Sequence, residues 1–95
     1  PFGPENMTPV FMLRGVVNAG QTRGVGAELT HLKLHIAHPD VPDIQVQGIG
    51  FGLAEKWNAI SQQSQNFDVC FTLQENVFRN TRTIQLEVRD IRVAE

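Results

Sequence analysis

The stretch IQVQGIGFGLAEKWNAISQQSQNFDVCFTL, Ile44 to Leu73, decides the fold, because it holds a strand, a short helix and a second strand in that order. Apolar residues occupy Ile44 and Val46, then switch phase to Ile49 and Phe51 across Gly48. A one-residue phase change flips the buried face, so this spacing predicts a bulge near Gly48. Leu53, Trp57 and Ile60 follow at the period of an amphipathic helix over Leu53 to Ser64, with Glu55, Lys56 and Gln62 outward. Phe67, Val69, Phe71 and Leu73 then alternate with Asp68, Cys70 and Thr72, the pattern of a strand with one buried face.

Outward from this centre the chain adds only strands. Val10 to Val17 is dense in apolar residues, and Gly15 inside it predicts a bulge or bend. Asn18 to Gly26, with three glycines, reads as a connecting loop. Thr30 to Ala37 alternates Leu32, Leu34 and Ile36 with His31, Lys33 and His35, one face apolar and the other basic. Arg79 to Arg82 is a polar turn, and Thr83 to Val93 places Ile84, Leu86 and Val88 inward before a phase shift at Ile91. Three strands, one helix and two strands, with bends at Gly15 and Gly48, give an all-β architecture. That is the element order expected of the OB-fold, a five-stranded Greek-key barrel with one short helix between strands 3 and 4, and other small barrels share parts of it. Residues 1–9, PFGPENMTP, hold three prolines and read as an extended arm or interdomain linker, leaving 10–95 as the domain.

Composition narrows the function. The 95 residues make one domain, without an apolar span of membrane length or an export signal, which predicts a soluble cytoplasmic protein. The lone Cys70 reads as a small buried hydrophobe rather than a nucleophile. Net charge is -2, yet residues 14–35 carry three cations against Glu28, and residues 79–92 carry four against Glu87 and Asp90. Two positive blocks that meet in space can attract a polyanion in spite of the total.

A family resemblance covers nearly the whole chain. PFGPENMTPVF at 1–11, RGVG and HLKL within 23–34, IGF at 49–51 and FDVCFTLQENVFRNTRTIQLEVRDIR at 67–92 resemble the C-terminal OB domain of the RecJ family, single-stranded-DNA-specific 5′ to 3′ exonucleases. Asn6, Phe11, Gly50, Asn76, Phe78, Gln85 and Asp90 also stand where that pattern asks. Glu5, Met7, Thr8 and Asn80 depart from it, in the arm and in one turn. The resemblance implies an accessory domain for DNA repair and recombination, with no cofactor of its own. The divalent metal, Mg or Mn, and the nuclease motifs would belong to a preceding catalytic region of the same polypeptide.

OB-fold ligands lie across strands 2 and 3, between the loop joining strands 1 and 2 and the loop joining strands 4 and 5. Here those loops are Asn18 to Leu29 and Arg79 to Arg82, which fall in the two positive blocks. Arg23, Lys33, Arg79 and Arg82 are the candidate phosphate ligands, and His31 and His35, with Phe78 as a further aromatic face, the candidate planar contacts to bases of a single strand. The competing readings are structural: Lys33 solubilises the strand, His31 caps a loop, Asn76 holds a turn, and Phe51 and Trp57 belong to the core. His31, His35, His38 and Asp40 make no metal site, since strand residues four apart are separated by about 13 Å. Ser61 and Ser64 have no base at a useful spacing. No catalytic residue is assigned, and a monomer is expected. The alternatives to DNA binding are a brace for the catalytic lobes and a protein-docking module with an exposed apolar patch.

Overall fold

A computed structural model describes residues 8–94. The elements are β1 (Phe11–Asn18), β2 (Arg23–Val25), β3 (His31–His38), β4 (Val41–Gly50), α1 (Ala54–Ser61), β5 (Phe67–Phe78) and β6 (Thr81–Val93). The arm expected at residues 1–9 lies, for its first seven residues, outside the described residues. The sheet runs β1-β5-β6-β4-β3-β2, and β1 also pairs β3 through Val17↔Ala37 and Asn18↔Ile36. That last pairing closes β1, β5, β6, β4 and β3 into a five-stranded barrel with the helix after its third barrel strand, the OB-fold order. The short strand β2 lies outside the ring, in what the sequence predicts as loop, and pairs only β3.

Side chains of alternating strand residues fill the barrel. Leu32, Leu34, Ile36, Val69, Phe67 and Ile91 are among its most deeply buried residues. The helix α1 lies between β4 and β5 in the chain and delivers Ile60 to this core, while Trp57 packs edge-on against Phe67 at 5.0 Å between centroids. Its first amide, Ala54 N–H, donates to the Thr30 carbonyl, and Lys56 pairs with Asp90 on β6. The helix is therefore stitched to the barrel at its first turn by polar contacts and further along by apolar ones.

Three departures from the sequence reading have local causes. The β3–β4 register runs unbroken from Leu32↔Gly50 to Ala37↔Gln45, so the bulge expected near Gly48 is absent. Gly48 and Gly50 keep the inward phase of β4, and a Cβ at Gly48 would stand 3.0 Å from both the Leu86 Cβ and the Leu86 carbonyl oxygen. These inward positions carry no side chain because Leu86 and Val88 of β6 fill the space over Gly48 and Leu53, at the start of α1, fills that over Gly50, so the inward phase does not flip. Besides the register shift between Ala37 and His38 beside the β3–β4 turn, bulges lie at Gly15, where φ is +68°, and on β6 after Val88, which restores Ile91 to the interior. Both match the glycine and the phase shift seen in the sequence.

Second, β5 and β6 continue past the barrel as a projecting hairpin that turns at Arg79 and Asn80, both with positive φ. Leu73 and Ile84, expected inward, are 50% and 61% exposed because no opposing strand reaches that far. Third, Asp68 falls on the face expected to be polar, yet its side chain is only 6% exposed. It accepts the Gly15 amide hydrogen at 2.9 Å and the Arg92 Nε–H at 3.2 Å, so one carboxylate pins the β1 bulge to β6. Cys70, beside it, is half-buried on the outer face rather than in the core.

The Gly15 hydrogen bond holds the Asp68 carboxyl below its ordinary range; burial opposes this and Arg92 reinforces it. A group whose pKa is depressed by folding stabilises above its unfolded pKa and loses that contribution as pH falls through the folded one. Asp68→Asn keeps one acceptor but removes the charge. The variant should be about 1.5–3 kcal/mol less stable at neutral pH and should lose less of its stability below pH ~4, as followed by denaturant unfolding at several pH values.

Candidate nucleic-acid interface

The outer face of β3 is built by strand alternation. Leu32, Leu34 and Ile36 are sealed in the core, so His31, Lys33 and His35 point away from it. Pairing across the sheet then sets their neighbours. Arg23 on β2 stands directly opposite Lys33, Lys33 opposite Ile49 on β4, and Ile49 opposite Glu87 on β6. One residue pair toward α1, Val25 faces His31 and the Phe51 ring meets His31 edge-on at 5.3 Å. One pair the other way, His35 faces Gln47. Gln21, Arg23, Lys33, His35 and Gln47 line a single shallow depression.

Arg23 reaches its place through a hydrogen-bonded loop. Asn18 Oδ1 accepts from the Gly20 amide at 2.9 Å and from the Thr22 hydroxyl at 2.7 Å. The Thr22 oxygen accepts the His35 amide at 3.0 Å, and His35 Nδ1 lies 2.9 Å from the Gly20 carbonyl. That carbonyl only accepts, so Nδ1 carries the proton. Arg23 Nη1 donates to the Gln21 carbonyl, which steadies the guanidinium over the depression. His35 is thus a loop anchor. His31 is one as well: its Nδ1 accepts the Gly52 amide hydrogen at 3.0 Å, the capping role weighed above.

The six candidates do not form one cluster. Arg23, His31, Lys33 and His35 share the outer face of β2 and β3. Arg79 and Arg82 lie at the end of the projecting hairpin, Arg79 with its guanidinium 5.2 Å from the Phe78 ring centre. Arg82 stands opposite Val77 on the hairpin face that continues the barrel interior, and pairs with Glu75 at 3.4 Å. Asn76 donates to Gln85 across the same hairpin at 3.1 Å, the turn-holding role.

Sequence reasoning missed Phe51 and Gln47 as members of the outer face. For Phe51 the signal was present, since it shares the parity of Gln47 and Ile49; taking Gly48 for a bulge hid it. Among the described residues no group of three His, Cys, Asp or Glu is placed to hold a metal, and no helix is long and apolar enough to cross a membrane. The family model described as the RecJ OB domain matches residues 1–90. No curated protein matches the chain.

Proposed function

The chain belongs to the RecJ OB-domain family, and on that premise we propose that it binds single-stranded DNA with little sequence preference. In this reading it is a non-catalytic, monomeric, cytoplasmic module that holds the substrate strand for the exonuclease domains of the same polypeptide in DNA repair and recombination. One observation carries the reading: Arg23 and Lys33 stand directly opposite each other on β2 and β3, and the ion pairs among the described residues give neither an acidic partner. Like charges directly opposite across a sheet destabilise it. A phosphate bridging the two relieves that repulsion and gains charge-assisted hydrogen bonds.

Glu87 bounds the positive field at the β6 side of the face, and Arg79 adds a cation at the end of the hairpin, where Arg82 is paired with Glu75 on the face that continues the barrel interior. Three or four phosphate contacts correspond to a log-log salt slope of about -2 to -3 on a single strand. Fluorescence anisotropy of labelled oligo-dT, titrated at low and at moderate salt, measures that slope. Salt-insensitive binding contradicts the phosphate reading.

A second reading rests on a different surface. At the barrel end away from α1, Val41, Ile44 and Val46 border an apolar cavity of about 150 Å³, and Leu73, Val77 and Ile84 continue the apolar surface along the hairpin. This face suits a brace or docking role against the catalytic domains of the same polypeptide. Absence of oligo-dT binding even at low salt would favour it over the single-strand reading.

A further inference from the structure

We propose that the Phe51 ring is a stacking platform for one unpaired base, set beside the phosphate seat at Arg23 and Lys33; the inference rests on the single-strand reading above. Three observations converge on it. Phe51 is 61% exposed although it directly follows Gly48 and Gly50, the buried inward positions that end β4. Its ring is nonetheless held in place, edge-on to His31 at an interplanar angle of 79°. His31 in turn is fixed by the Gly52 amide and backed by Val25 across the β2–β3 pair. The platform is therefore preorganised, and binding a base there costs little side-chain ordering.

Position supplies the rest. His31 and Lys33 are two residues apart on one strand face, so the aromatic and cationic rows lie about 7 Å from each other. That is a fitting separation for the base and the phosphate of adjoining nucleotides. Proteins that hold single strands without reading sequence combine a cationic track with such aromatic faces, because every base offers a π-surface. A paired base, stacked within a duplex, has no free face to offer. His31 is a positioning residue here: it orients Phe51 and anchors the turn at Gly52.

The test compares two probes of equal length, labelled oligo-dT and an abasic strand, against the same domain. Wild type should bind oligo-dT about tenfold more tightly than the abasic strand, the stacking increment for one base. Phe51→Ala and Phe51→Leu should bring the two affinities within about twofold of each other while leaving the salt slope unchanged, and Phe51→Trp should keep the preference. Because the ring is exposed, an unaltered melting temperature in Phe51→Leu separates lost stacking from lost folding. Full retention of the oligo-dT preference in both Phe51→Ala and Phe51→Leu overturns the platform. Failure of wild type to bind either probe overturns the single-strand reading itself, and the platform with it.

Discussion

Gly48→Val should cost the domain about 3 kcal/mol or more, lowering Tm by about 15 °C in thermal unfolding, whereas Gly48→Ala should cost roughly half as much. β4 and β6 are the only parallel neighbours in the described barrel and pair through just Gly48↔Leu86 and Ile49↔Glu87. The missing side chain at 48 lets Leu86 approach closely, and a Cβ there would also lie 3.2 Å from Val88 Cγ2. Leu86 and Val88 are both core residues, so neither can retreat without opening a void elsewhere. A branched side chain at 48 must push β6 outward and break the seam that closes the ring. A Tm change of a few degrees for Gly48→Val would show that the seam does not depend on this contact.

The second large effect separates binding from stability. Arg23→Glu with Lys33→Glu should weaken oligo-dT binding by about 100-fold at low salt, since two charge-assisted contacts are lost and two repulsive charges gained. Arg23→Glu alone faces Lys33 across the β2–β3 pair. It turns a repulsive pair into an attractive one and should raise stability by about 0.2–1 kcal/mol while still weakening binding. Opposite movement of stability and affinity is the mark of a residue kept for its ligand. Parallel losses of both in the single variant would assign Arg23 a structural role instead.

How far the sequence discloses this molecule follows from what local pattern can encode. Alternation in Leu32–Leu34–Ile36 and Phe67–Val69–Phe71 identifies the barrel strands, the Leu53–Trp57–Ile60 spacing finds the helix, and Gly15 marks a real bulge. Gly48 misleads because glycine at an inward position and glycine at a bulge look alike in one dimension; only the neighbouring strand tells them apart. Leu73 and Ile84 mislead for the same reason, since alternation records which face a residue takes but not whether anything covers that face. At the interface, the Arg23–Lys33 opposition depends on β2, three residues in a Gly-rich loop with too short a period to detect. Charge counting locates both positive blocks, but the placement of Arg82 on the interior-continuing face of the hairpin emerges only from its pairing with Val77.

In the proposed function a single DNA strand lies across the outer face of β2, β3 and β4. Amide chemical-shift mapping of the isotopically labelled domain during an oligo-dT titration tests it most directly. The expected result is a set of salt-sensitive changes centred on Arg23, Lys33, Gln47 and Phe51. Changes confined to Ile44, Leu73, Val77 and Ile84, or none at low salt, would contradict it.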